Sequence, residues 1–276
     1  MRFRIYHATN IFKYLLMTAI AIATLFPFLW MFLTSLKQNE EVMAHPTQLF
    51  SSNPTFTSYI NIWSEVPFAR FFLNSVIFAS SVVIIALMFN SMAGYAFARL
   101  RFRGRHALFI ITLCTMMIPF QVIMVPLFLL VSKMGIMGTY AGLILPRAAD
   151  AFGIFMMRQF FLTLPRDLEE AGRIDGLTEF GIFYRIMLPL CKAPFFTLGL
   201  FIFMGNWNDL LYPMLFTNSE EMRPIQAAIA VFSGKYSTDY KFMMTGLFIA
   251  SVPTILAYLF TQKYFIRSIA ISGLKA

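Results

Sequence analysis

The sequence predicts an all-α integral membrane protein: six transmembrane helices, with a helix–turn–helix loop on the cytoplasmic side. Three observations carry that expectation. Apolar residues make up 59% of the 276-residue chain and charged ones 13%, against roughly 45–50% and about 25% in soluble domains. Phe occurs 33 times and Met 19 times, more apolar side chain than a water-soluble fold of this length can hide. Several charge-free runs also reach the length of about 20 residues that a helix needs to cross hydrocarbon. Such runs on one chain cannot close a barrel, so their backbones must be satisfied as helices. A cytosolic enzyme and a disordered chain are both excluded.

The first run, 14–36, follows Arg2, Arg4 and Lys13. Ala19-Ile20-Ala21 has the form of a signal-cleavage triplet but lies in mid-run, and the run exceeds the roughly 7–15 apolar residues of a signal peptide. A retained first span is expected. The outer connector that follows holds Phe56, Tyr59, Ile60 and Trp63, spaced as one face of a short helix at the membrane surface. Residues 71–98 and 106–132 supply the second and third spans. Residues 139–157 supply the fourth, apolar except for Arg147 and Asp150, and 195–216 the fifth, apolar except for Asp209. The sixth is 242–262. The chain thus divides into 1–70 (tail, first span, outer connector), a core at 71–262 and a tail at 263–276.

Fifteen of the 22 Lys and Arg residues fall in connectors on the side of the N-terminus and six on the other, with Arg147 inside a span. The positive-inside rule then puts both termini in the cytoplasm, in a cell (inner) membrane. Arg99-Leu100-Arg101-Phe102-Arg103-Gly104-Arg105 is the sharpest anchor. The net charge of +9 is spread between apolar runs rather than gathered on a solvated face, which argues against a nucleic-acid partner. Cys114 and Cys191 have no CxxC spacing, and His7, His45 and His106 stand apart, so no metal is expected.

The connector 158–192 has a pattern of its own. Pro165 suits a first helical turn, and Asp167, Glu169 and Glu170 put negative charge where the helix dipole favours it. Gly176 is a natural stop, Thr178 a cap for a second helix, and Leu188-Pro189 its end. Phe180, Phe183, Tyr184 and Met187 line one face of that second helix with apolar groups. The ring face either rests on the membrane interface and the protein's own helix ends or enters a groove on a cytoplasmic protein. The acidic first helix favours the protein partner, since lipid would call for Lys and Arg.

Glu169-Glu170-Ala171-Gly172-Arg173-Ile174-Asp175-Gly176, then nine residues, then Ile186-Met187-Leu188-Pro189 resembles the EAA loop of binding-protein-dependent ABC transporter permeases. Gly172 and Leu177 stand where that pattern has alanine; Gly172 costs its helix up to about 1 kcal/mol relative to Ala. Met117-Ile118-Pro119-Phe120-Gln121-Val122, Val125-Pro126-Leu127, Tyr140 to Pro146, Asn206-Trp207-Asn208-Asp209 and Gln262-Lys263-Tyr264-Phe265 are similar to the carbohydrate-uptake branch. They look most like the subunit that maltose-class transporters pair with a second, larger permease. The likeness runs from about Ser58 to the C-terminus, though Arg267-Ser268 lacks a glycine often found there.

The resemblance implies the type I ABC importer permease fold and alternating access. It also implies a second permease, two copies of a cytoplasmic ATPase and an external solute-binding protein. It makes Glu169, Glu170, Ala171, Gly172, Asp175, Gly176, Phe183, Ile186, Leu188 and Pro189 the ATPase-coupling residues. Glu170 and Asp175 would hold polar contacts, Gly176 the turn, and Phe183 would be the ring inserted in the partner's socket. No G-x-x-x-x-G-K-[ST] loop occurs, so the chain is expected to bind no ATP or other cofactor and to leave hydrolysis to its partner. No nucleophile–base pair suggests an enzyme.

Polar residues inside the spans have two readings each. Arg147 and Asp150, three apart, either form a mutual ion pair that orients the fourth span or line a sugar pathway. Asn206, Trp207, Asn208 and Asp209 either meet hydroxyl-rich cargo or anchor the fifth span near the outer interface. An ion-coupled secondary transporter would use Asp150 and Asp209 but would predict inverted repeats, and none is visible. A non-transporting scaffold would need no polar residues in its spans. Oligosaccharide is the first expectation for cargo, glycerol phosphate or another polyol-type solute the next.

Overall fold

The computed structural model describes residues 2–235 and 239–273, with side chains over 10–231 and 239–264. Side chains of Arg2, Arg4, His7, Phe265, Arg267 and Ser268 therefore lie outside the described residues. Helices account for the chain's regular structure, and no strand occurs among the described residues.

In chain order the helices are α1 (Arg2–Ser35), α2 (Asn39–Ala44), α3 (Thr57–Glu65), α4 (Phe68–Arg99), α5 (Arg105–Thr115), α6 (Phe120–Lys133), α7 (Tyr140–Ile144) and α8 (Ala151–Thr163). They continue as α9 (Asp167–Ile174), α10 (Glu179–Ile182), α11 (Leu188–Leu190), α12 (Lys192–Trp207), α13 (Leu211–Phe216), α14 (Ile225–Lys235) and α15 (Tyr240–Gly273). Asn10–Ser35, Phe68–Arg99 and Tyr240–Tyr264 are each long and apolar enough to cross a membrane.

The other expected spans are broken: three unbroken helices reach spanning length among the described residues, or up to five spans if each bent pair is one, against the six expected. α5 and α6 meet at a bend of 102°, where Pro119, in extended geometry, caps α6. The residue before a proline avoids helical geometry, and the chain turns there. In the fourth segment a 3-10 turn at Leu145–Arg147 separates α7 from α8, and Asp150 is extended and caps α8 through Gly153 N–H. In the fifth, α12 stops at Trp207 before α13 begins. Each break falls on proline or on a polar residue that takes over backbone hydrogen bonding.

The chain forms two compact units. One comprises Met1–Phe68 and Ile229–Ser251. In it the Ser35 and Tyr59 hydroxyls are hydrogen-bonded at 2.7 Å, and Phe248 meets Phe32 at 5.0 Å and Tyr59 at 6.3 Å. Tyr59 thus faces inward, whereas Phe56, Ile60 and Trp63 are exposed as expected of an interfacial face.

The second unit comprises Ala69–Ala228 and Val252–Ala276. Within it α4 and α8 cross closely at Gly94. A Cβ on Gly94 would sit 2.8 Å from Met157 Cβ and 2.9 Å from Arg158 N, so only glycine allows the two backbones that close. Beside the crossing, Leu87, Tyr95, Met157, Phe161, Ile182, Phe183, Met187 and Leu198 form one buried cluster. A second gathers Phe78, Val82, Leu143, Tyr212 and Phe216.

Candidate functional site

Two places in the second unit gather the residues singled out by sequence: the loop 163–190 and a cleft beside Arg147.

In the loop, α9 ends at Asp175 and Gly176 takes φ +79°, the left-handed conformation that glycine adopts without steric cost. Leu177 N–H donates to the Gly172 carbonyl and Gly176 N–H to the Arg173 carbonyl, the pairing of a Schellman cap. Thr178 then accepts from Gly181 N–H and starts α10. Between α10 and α11 lies one π-helical turn, Phe183–Met187. Pro189 has no N–H for the carbonyl four residues back, and the wider turn absorbs the break in the ladder. The helical segment Glu179–Leu190 therefore runs through Leu188-Pro189 instead of ending there, and bends by 84° into α12 at Cys191.

The ring face divides. Phe183 and Met187 are buried in the protein's own cluster, Phe183 lying 5.4 Å from Tyr95 and 6.2 Å from Phe161. Phe183 is thus not free to enter a partner's socket as expected; Phe180 and Tyr184 are the exposed rings. Ile182 in α10 is apolar and sits in the same cluster, and this draws the neighbouring ring inward. Of the remaining loop positions, Glu170, Ala171, Asp175, Gly176 and Pro189 are exposed, Ile186 and Leu188 half-buried, and Gly172 buried against Ile182 and Ile186.

Glu169 is also buried, and its partners are internal. Its Oε1 lies 3.0 Å from Arg99 Nε, with both side chains under a tenth exposed. The Nε proton points to the Phe161 carbonyl, so this contact is ionic rather than a hydrogen bond. Arg99 also donates through Nη2 to the carbonyls of Phe161 and Leu164 at the end of α8. Glu169 Oε2 is 3.7 Å from Arg173 Nη2, and Arg173 Nε donates to Glu179 Oε1 at 2.8 Å. The Tyr95 hydroxyl donates to Glu179 Oε2 at 3.2 Å. Burial pushes the Glu169 carboxyl up from its ordinary value, partly offset by Arg99 and Arg173, whereas the Arg173 hydrogen bond holds Glu179 down. Sequence reasoning missed Arg99 in this role, counting it only as a membrane anchor. The available signal was the spacing of Tyr95 and Arg99, four apart on one helix face.

The cleft has a volume of about 360 Å³ and is lined by Arg147, Asp150 and Asn206, the rings of Phe120, Phe152, Phe201 and Tyr212, and aliphatic side chains. The expected Arg147–Asp150 pair does not form, because the helix that would have set them face to face is broken between them. Arg147 pairs with Asp209 and donates to Asn206 Oδ1 at 2.9 Å, its guanidinium 4.0 Å from the centre of the Tyr212 ring. Asp150 instead accepts from Asn90 Nδ2 at 2.6 Å and from Gly153 N–H at 2.7 Å. Trp207 is buried between Phe72 and Phe203, both at 5.5 Å, and does not line the cleft. Asn208 is exposed and donates to the Met204 carbonyl. Arg147, Asp150, Asn206 and Asp209 thus come together, while Trp207 and Asn208 point elsewhere. Rings beside fixed polar groups offer stacking for the C–H faces of a ligand and hydrogen bonds for its hydroxyls.

Long apolar helices, a largely apolar cleft in the second unit that holds Arg147, Asp150 and Asn206, and a helix pair with one exposed face fit a multi-pass membrane permease. The family model of the binding-protein-dependent transport system inner membrane component matches residues 86–271, and the chain belongs to that family. It is 34% identical over 259 residues to the arabinooligosaccharides transport system permease AraQ of Halalkalibacterium halodurans, covering 93% of both chains. It is 29% identical over 258 residues to the lactose transport system permease LacG of Rhizobium radiobacter, covering 94% of both. A crystal structure of a bacterial ABC transporter involved in the import of the acidic polysaccharide alginate contains a chain of the same fold. That match has a TM-score of 0.81 and 24% identity, and covers 94% of this chain and 97% of that one.

Proposed function

We propose that this chain forms half of the translocation pathway of an ATP-driven importer of oligosaccharides, with both termini in the cytoplasm. It binds no ATP itself; a second permease, two copies of an ATPase and an external solute-binding protein complete the machine. The single observation that carries this reading is the two-sided loop 163–190. One side is anchored in the protein through Phe183, Met187 and Glu169, while the other offers Glu170, Ile174, Phe180 and Tyr184 to solvent. An apolar and acidic helix face of that kind suits a groove on a partner protein.

Relatives named for arabinooligosaccharides and lactose support a saccharide cargo. The cleft supports an uncharged one: a phosphate-bearing solute would call for a free cation, and Arg147 is neutralised by Asp209. Glu170→Lys in the complete transporter, reconstituted in vesicles and offered arabinan oligosaccharides, tests the coupling role. The variant is expected to insert and fold but to lose uptake. Uptake equal to that of the unmodified complex would overturn the reading.

A further inference from the structure

We infer that Arg99 is a positioning residue for energy coupling. With Tyr95 it makes the end of α4 the lever through which movement of the loop helices enters the membrane unit. This rests on the coupling reading above and says which span receives the motion.

The geometry is a closed ring of polar contacts: Arg99 to Glu169, Glu169 to Arg173, Arg173 to Glu179, Glu179 to Tyr95. Tyr95 and Arg99 lie four apart on α4 and so share a face. Each holds one loop helix, Arg99 through α9 and Tyr95 through α10, and Arg173 ties the two glutamates together. Both loop helices are thus fixed to a single span at two points one helical turn apart.

Burial makes this joint stiff. A charge removed from water is stable only while its partner and hydrogen bonds are in place, so losing one partner strands the other. Arg99 and Glu169 side chains are 4% and 6% exposed although, with Arg173 and Glu179, they border a polar cavity of about 530 Å³, so it is the contact itself that holds the joint. The neighbouring Glu170 is exposed and belongs to the outer side of the loop. The outer face is pushed; the ring behind it passes the push to α4.

The test uses the complete transporter, with ATP as the only added ligand and spin labels on this chain. With the exposed Cys114 replaced by Ser, one label pair, Met92→Cys with Leu168→Cys, spans the joint; a second, Lys133→Cys with Leu168→Cys, reports movement of the loop. In the unmodified complex ATP should change the second distance and leave the first unchanged. In Glu169→Gln, which keeps the shape but removes the charge, ATP should lengthen and broaden the first distance. A pair that only held the fold would leave the first distance in Glu169→Gln the same with and without ATP, and that outcome overturns the proposal. Should Glu169→Gln fail to assemble with the ATPase, Arg99→Lys takes its place. A lysine keeps the charge but cannot reach both Glu169 and the α8 carbonyls, so the first distance should again broaden with ATP, and an unchanged distance overturns the proposal. If ATP moves the second pair in no complex, the coupling reading itself fails and the joint falls with it.

Discussion

At Glu169 two effects oppose each other: burial disfavours its charge, and Arg99 and Arg173 favour it. Burial is the larger, so the folded protein holds that proton above the ordinary value of 4.5. Glu169's contribution to stability is therefore full below the unfolded value and is lost as pH rises through the folded one. Glu179 runs the other way. Its folded value lies below 4.5, so its contribution is present above that pH and lost as pH falls through the folded value. Infrared difference titration against the unmodified protein should show carboxyl absorbance lost above pH 4.5 in Glu169→Gln and below it in Glu179→Gln. Arg147 and Asp209 give a second prediction at this scale. Asp209→Asn leaves Arg147 with Asn206 and two ring faces, so the loss should stay below the roughly 2.5–3.5 kcal/mol of an unpaired charge at mid-membrane. Melting in detergent should show that Arg147→Gln with Asp209→Asn costs less than the two single changes added together.

Among the elements, the loop was the most legible from sequence, because its signals are local. Thr178, Gly176 and the acidic first turn each fix their own few residues of backbone, so the first helix starts and stops, and the second starts, where those residues say; only the end expected at Leu188-Pro189 is overrun. Gly176→Ala forces a side chain into the left-handed region at a cost of about 1–2 kcal/mol. Faster amide exchange over 167–182, with the bundle unaffected, is the expected result. The division of the ring face was not legible: spacing places Phe180, Phe183, Tyr184 and Met187 together, and only packing against Tyr95 and Phe161 decides which turn inward. The breaks in the third, fourth and fifth segments carried proline or polar signals, yet hydropathy alone counts apolar residues across a bend. Gly94 belongs here too. Gly94→Val would push α8 away from α4 and should lower the melting temperature more than Gly176→Ala does, since it meets the Met157 Cβ and the backbone atoms Arg158 N and Ile154 O, none of which can swing aside.

For the whole molecule, composition alone established a helical membrane protein, and the loop motif named the family. A saccharide cargo was legible through that resemblance, but the wiring of the cleft was not, because Arg147 finds Asp209 rather than its near neighbour Asp150, a pairing across 62 positions of sequence. The stretch Asn10–Ser35 has none of its most apolar window buried within the chain, so lipid or the second permease must cover it. Cysteine cross-linking from Leu15→Cys to the second permease is expected in the assembled complex. The polar ring at the end of α4 also bears on ionic strength. It contains two arginines and two glutamates and so carries no net charge, and on its Arg99–Glu169 side both charged groups are almost wholly buried. Raising salt from 0.1 to 1 M shortens the range of exposed electrostatics from about 10 to about 3 Å. Concentrated salt should therefore detach a neighbour held by surface charges well before it loosens the hinge beneath.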